Sequence, residues 1–324
     1  MTAMPPSALR PRWHRPLLAL SAFMIAVVAV SAVGLLVDDR MITGSPAWLK
    51  PFKFGVSFAL FGATLAWMLT LTRRAPRTGW WAGTVVVVVS IAEMAAVLTQ
   101  VVRGKASHFN AETEFDVALF GIMGLMIVVL WGATFVVSVV VSLQRQEERA
   151  TTWAIRFGLG LSLVGMLLAF LMTQPTADQL TDLNADRPVP AIGAHAVGAP
   201  DDGPSMTVTG WATTGGDLRI PHFVGIHALQ ALPLLSLLLV LLASRYPTSR
   251  FASPTVRLRL VFVASAGYAC VLALLTWQAL RGQPLVHPDL TTLAAAAALG
   301  VLVTSATGVV LGARSGEPVD SATR

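Results

Sequence analysis

Eight long apolar runs constrain this chain more than any other feature. A segment needs about 20 apolar residues to cross a hydrocarbon layer roughly 30 Å thick. Such runs stand near 16–37, 53–72, 80–102, 117–142, 153–173, 222–243, 258–280 and 290–312. Inside lipid each backbone N–H and C=O must find its partner within the protein, so runs of this length read as helices. The composition agrees, because 12% of the 324 residues are charged against roughly 25% in soluble domains. The expected fold class is an all-α integral membrane protein of about eight transmembrane helices, with the lipid bilayer as its first partner. The first run follows Arg10, Arg12 and Arg15 but exceeds the 7–15 apolar residues of a signal-peptide core, so it reads as a retained helix.

Orientation follows from the loops. Of the 23 Lys and Arg residues, 15 fall in the N-terminal region, 73–77, 143–156, 244–259 and the C-terminal tail. The other eight are Arg40, Lys50, Lys53, Arg103, Lys105, Arg187, Arg219 and Arg281. The richer set belongs in the cytoplasm, which puts both termini inside and the 174–221 connection outside as a small folded cap. The expected organisation is a cytoplasmic tail at 1–15, a four-helix membrane unit at 16–150, a second at 151–313 that includes the cap, and a tail at 314–324. This is the pattern of a multi-pass protein of a bacterial cytoplasmic (inner) membrane. The net charge of +6 does not indicate nucleic acid, because no basic stripe is interleaved with aromatics. One cysteine, Cys270, leaves no internal disulfide and no Cys-rich zinc site.

The two halves echo one another. Gln100-Val-Val-Arg103-Gly104 closes the third span and Gln278-Ala-Leu-Arg281-Gly282 the seventh. Asp116 opens the fourth and Asp289 the eighth, each followed 17 residues later by Ala-Thr-x-Val-Val. Aligned on Lys53 and His222, the second and sixth spans share an aromatic and an Ala-Leu pair. Two tandem four-helix bundles, a 4+4 parallel internal repeat, are the implied architecture.

Candidate chemistry gathers at the outward ends. Glu93 and Gln100 are seven residues apart and share a helix face. Because an ionisable group within a span is costly, Glu93 is expected to face the bundle interior or a wet cavity with Arg103 or a lysine as partner, either as a hydrogen-bonded structural glutamate or as a proton-handling or second-shell group. His222 lies in the first turn of the sixth span, and His227 lies about 140° round and one turn deeper. That is wrong for joint ligation of one metal, but each could pair across the bundle. His227 and His108 are the candidate metal ligands, and His108, His222 and His227 the candidate haem ligands, since facing histidines can hold a haem axially. Lys50 and Lys53 read by default as snorkelling interfacial lysines. The alternative is that Lys53, Arg103, Arg219 and Arg281 attract an anion such as a propionate, phosphate or headgroup. His14, His195 and His287 read as solvated residues. The GLGLSLVG run at 158–165 suits close helix packing rather than phosphate binding.

The strings WLKPFKF, RGKASHFN and GDLRIPHFVGIHALQ resemble those of an uncharacterised family of bacterial multi-pass membrane proteins; the resemblance spans most of the chain and carries no activity across. The 4+4 layout with outward histidines is similar in outline to haem A synthase, whose signature strings are absent, so the analogy is one of architecture. The leading expectation is a haem- or metal-binding membrane redox protein, with a b-type haem as the candidate cofactor. The alternatives are a transporter or ligand sensor that takes a small anionic ligand in the same polar pocket, and a structural or assembly factor. Whether the chain is an enzyme stays open at this point.

Overall fold

A computed structural model describes residues 13–313; the rest of the expected tails, 1–12 and 314–324, lies outside the described residues. The protein is mostly helical, and among the described residues eight helices are long and apolar enough to cross a membrane. They are α1 (Arg15–Val37), α2 (Leu49–Thr70), α3 (Pro76–Arg103), α4 (Glu114–Ser142), α5 (Arg149–Leu168, extended by a 3-10 turn to Thr173), α7 (Arg219–Arg245), α8 (Pro254–Leu280) and α9 (Leu290–Gly312). A short helix, α6 (Ala177–Asn184), belongs to the cap.

Several helices begin three or four residues before the apolar runs do. The first turns of α2 (Leu49-Lys-Pro-Phe), α3 (Pro76-Arg-Thr-Gly) and α5 (Arg149-Ala-Thr-Thr) carry polar or charged residues yet are helical. Proline at the head of α3 and α8 loses nothing there, because the first N–H groups of a helix have no intrahelical partner. Gly104 ends α3 in the left-handed region at φ 68°, and Gly282 follows α8 at φ 69°, conformations that cost a residue without Cβ little.

Helices α1 to α4 pack on one another, as do α5, α7, α8 and α9, and α4 meets α5 where the sets join. The first set holds the larger core, around Leu20, Met24, Leu65, Met68, Val86 and Met94, and it runs on into α5 and α7 through Leu159 and Leu229. A second core, with Ala154, Leu232 and Val261, lies among α5, α7 and α8. The closest crossing is that of α5 and α7: a Cβ on Gly165 would stand 2.5 Å from the backbone of Gly225. Gly158 likewise meets Ala228, whereas Gly160 has nothing within 4 Å, so part of the glycine run serves the crossing as expected.

The connection between α5 and α7 is folded. A reciprocal capping box between Thr176 and Gln179 starts α6, and β3 (Ala196–Val197) pairs antiparallel with β4 (Gly216–Asp217). A second small ribbon, β1 (Met41–Ile42) with β2 (Ser45–Pro46), sits in the α1–α2 connection. Phe109, Met172, Leu218 and Ala279 form a small core beneath the cap.

His14 corrects the expectation of a solvated residue. It is buried, its Nδ1 accepts from the Leu17 amide at 3.2 Å as the N-cap of α1, and its Nε2–H donates to the Trp80 carbonyl at 2.9 Å. Burial holds its pKa below the usual histidine value, against the raising effect of the Trp80 carbonyl.

Candidate ligand cavity

A cavity of about 940 Å³ opens beneath the cap. Its walls are the start of α2, the α3–α4 connection, the upper part of α4, the 3-10 turn after α5, the cap strands and the start of α7. A smaller apolar crevice of about 160 Å³ continues from it between α2 and α7. The two share Phe54, Ile127, Ala169, His222 and Phe223. The combined space has a polar mouth and an apolar depth.

Lys50 and Lys53 line the mouth, which corrects the snorkelling reading: both turn inward from the first two turns of α2. Lys53 Nζ donates to the Thr209 carbonyl of the cap at 2.6 Å. Lys50 donates no hydrogen bond among the described residues; its ammonium lies 6.0 Å from the centre of the Phe54 ring. Neither lysine is in an ion pair among the described residues.

The nearby arginines differ. Arg219 is clamped by buried Asp217 through bonds of 2.6 and 2.9 Å, and it also donates to the Gly210 carbonyl at 2.6 Å. Arg103 donates to Asp116 and to Gln100, both at 2.5 Å, and Gln100 Nε2 donates to the same carboxylate at 2.7 Å. Arg281 donates to Asp289 at 2.6 Å. The expected ring of four cations therefore does not converge. Lys53 and Arg219 reach the cavity, while Arg103 and Arg281 tie helix ends together outside its lining.

The histidines divide similarly. His108 lines the cavity among the rings of Phe54, Phe109 and Phe120, with Nδ1 3.2 Å from Ser107 Oγ. His222, at the junction of the two spaces, donates from Nδ1 to the Gly165 carbonyl at 2.8 Å. His227 lies in the crevice and donates from Nδ1 to Gln230 at 3.3 Å, and Gln230 in turn donates to Thr64 at 3.1 Å. His227 and His108 therefore line different spaces. Among the described residues no three His, Cys, Asp or Glu side chains gather as a metal site.

His195, expected on the surface, stands in the cavity wall. Its Nδ1–H donates to Asp201 at 2.9 Å, and Asp201 also accepts from the backbone amides of His195 and Ala196. Burial lowers the His195 pKa against the raising pull of Asp201, and the positive charges of Arg219 and Lys50 lower it further. Burial, Lys50 and His195 together hold His108 well below the usual histidine value. Burial would raise Asp201, but the bond from His195 and the two amides bring it down to about 2. The signal in the sequence was the carboxylate six residues after His195 in a turn-rich loop. His287 is exposed.

Glu93 is wholly buried in α3, and neither of its carboxylate oxygens has a hydrogen-bond partner among the described residues. Of the expected partners, Arg103 is engaged by Asp116, and no lysine bonds to Glu93 among the described residues. No family model, no curated protein and no solved structure matches the chain.

Proposed function

We propose that this membrane protein binds an amphipathic anion in the cavity beneath its cap, and that it works as a transporter or ligand sensor of a bacterial inner membrane. One observation carries the reading: among the described residues Lys50 and Lys53 face a 940 Å³ space without a carboxylate partner, while Arg103, Arg219 and Arg281 each have one. Unpaired cations in a partly dehydrated wall are costly, and an anionic head between them removes that cost. The apolar crevice between α2 and α7, floored by Phe58, Phe61, Leu130 and Met166, suits a hydrocarbon tail.

An internal duplication is part of the same reading. Lys53 and His222, matched in the alignment of the halves, both line the cavity, and so do Phe54 and Phe223. The next matched pair, Phe58 and His227, lines the crevice. Equivalent helices of the two sets facing one space, with the site between them, fit a parallel repeat. The charge distribution over the loops supports cytoplasmic termini and an outward cap.

A haem is the second reading, favoured by a specific feature of His222. Because its Nδ1–H is given to the Gly165 carbonyl, its Nε2 carries a lone pair, the state in which a histidine ligates iron. His108 lines the same cavity, and Lys50 and Lys53 suit the propionates. A bound b-type haem would supply electron-transfer chemistry there.

The test is a visible spectrum of the protein purified in mild detergent, followed by titration with myristate and with haemin, read by tryptophan fluorescence. Myristate is expected to bind, and Lys50→Gln with Lys53→Gln to weaken it by tenfold or more. A Soret band lost in His222→Ala selects the haem reading. A colourless protein that binds neither probe overturns both.

A further inference from the structure

His195 and Asp201 give the cavity a feature that its lysines do not account for. Both line the space beneath the cap, and their side chains are 18% and 19% exposed. Asp201 is surrounded by donors. Its Oδ1 accepts from the amides of His195 at 2.9 Å and Ala196 at 2.8 Å, and its Oδ2 accepts from the His195 amide at 3.0 Å and the His195 ring at 2.9 Å. A carboxylate met by donors on both oxygens can only accept, so the imidazole proton is fixed on Nδ1. Burial lowers the pKa of the ring more than Asp201 raises it, which keeps the ring neutral at pH 7.5. Its Nε2 therefore carries a lone pair, and that atom has no hydrogen-bond partner among the described residues.

The fold sets this lone pair in the same wall as the cations of α2. The Leu218 amide donates to the His195 carbonyl at 3.0 Å, and the cap ribbon pairs Ala196 with Asp217. Arg219, the next residue after Leu218, donates to the Gly210 carbonyl at 2.6 Å, and Lys53 donates to the neighbouring Thr209 carbonyl at 2.6 Å. A relay of three hydrogen bonds thus joins His195 to Lys53 through the cap. A series of rings makes the second connection. Phe54 lies 6.0 Å from the Lys50 ammonium and 5.8 Å from His108, and Phe109 bridges His108 at 6.1 Å to His195 at 4.8 Å. His108 is not equivalent to His195, because the Ser107 hydroxyl can donate or accept and leaves its tautomer open. His222 has the same fixed tautomer through the Gly165 carbonyl, but it stands at the junction with the apolar crevice.

We infer that His195 Nε2 accepts a hydrogen bond from the ligand, so that the cavity selects amphipathic anions with a hydroxyl group near the charged head over plain alkyl carboxylates. The inference rests on the anion-cavity reading and names the ligand class for it. Lys50 and Lys53 can only donate, so an anionic oxygen satisfies them. The neutral imidazole does the reverse: at Nε2 it rejects a second acceptor and requires a donor. A plain carboxylate that fills the cavity strips water from Nε2 without replacing its hydrogen bond, which costs affinity. A hydroxyl group on the ligand restores that bond while the charged head stays with the lysines.

The experiment titrates the detergent-purified full chain at pH 7.5 with myristate, 2-hydroxymyristate and 3-hydroxymyristate, read by tryptophan fluorescence. At least one hydroxylated acid is expected to bind about tenfold more tightly than myristate, since a site built around a hydrogen bond discriminates against the analogue that lacks it. His195→Phe, which keeps a ring against Phe109, is expected to bring that ratio close to one. Equal affinities of the three acids for the wild type overturn the inference and leave the cavity reading intact. Binding of none of them overturns both. A preference that survives in His195→Phe and disappears in His222→Phe also overturns the inference, because the acceptor is then His222. Thermal melting checks that each variant is folded. Nitrogen NMR of the wild-type chain with isotope-labelled histidine decides without any variant. The hydroxylated acid is expected to shift an unprotonated Nε2 signal that myristate leaves in place, and the absence of such a shift overturns the inference.

Discussion

His108 and His195 carry the pH response of the cavity. Burial holds both below their ordinary value of 6.5, so the unfolded chain binds protons that the folded protein refuses as pH falls below 6.5. Stability contributed by a group with a depressed folded pKa is fully present above its unfolded pKa and is lost on acidification. The thermal midpoint in detergent is therefore expected to fall between pH 7 and pH 5, and His108→Gln to flatten the dependence. An unchanged slope in that variant would remove His108 from the account. The residue scale is also where the sequence was least legible. A lysine that snorkels and a lysine that turns into a cavity have the same neighbours in the chain, so the direction of Lys50 and Lys53 depends on what the cap places opposite them. His195 owes its place to Asp201, and His14 to a carbonyl 66 residues away. Glu93, by contrast, was readable, because a carboxylate amid valines has few places to go.

At the scale of elements, the crossing of α5 and α7 bears the most steric constraint. Because lipid tails are as apolar as the helices, no hydrophobic force drives helices together, and close packing of small residues is a main source of association in membranes. Gly165→Ala pushes a Cβ to 2.5 Å from the Gly225 backbone and disturbs the carbonyl that holds His222. A loss of about 1–3 kcal/mol is expected, the usual range for overpacking. Gly160→Ala, with open space around it, is expected to leave the thermal midpoint unchanged. A neutral Gly165→Ala would show that the crossing relaxes freely. The apolar runs located the spans but not their first turns, since Lys50 and Arg149 are polar and helical at once. The match of Asp116 with Asp289 was shifted by about a turn in capping terms. Thr113 caps α4 with Asp116 three residues on, whereas Asp289 itself caps α9 with Thr292 three residues on. The carboxylate and hydroxyl have exchanged places, yet each carboxylate still receives the arginine of the preceding helix.

For the whole molecule, sidedness is the first quantity to measure. With Cys270→Ala as background, a cysteine at Val208 in the cap is expected to react with a membrane-impermeant maleimide in intact cells, and one at Glu147, between α4 and α5, only after the membrane is opened. The reverse pattern would invert the orientation and place the cavity on the cytoplasmic face. Helix number and loop charge were legible because they depend on local composition. Which helices face each other was not, because any of several arrangements buries the same apolar area. The environment of the last span has a consequence for biogenesis. Among its residues only Thr292 is buried, and it packs chiefly along α8. Helix α9 has no charged side chain and meets the threshold for lipid on its own sequence. Helix α3 meets it as well, but it carries Glu93, which finds shelter only once α1, α2 and α4 surround it. The last span can therefore leave the insertion machinery as a finished element, whereas the third bears the cost of an ionisable side chain in lipid until its neighbours cover it. Assembly thus has an order written into its energetics, with the helix that carries the buried carboxylate dependent on its companions and the outermost one free of them.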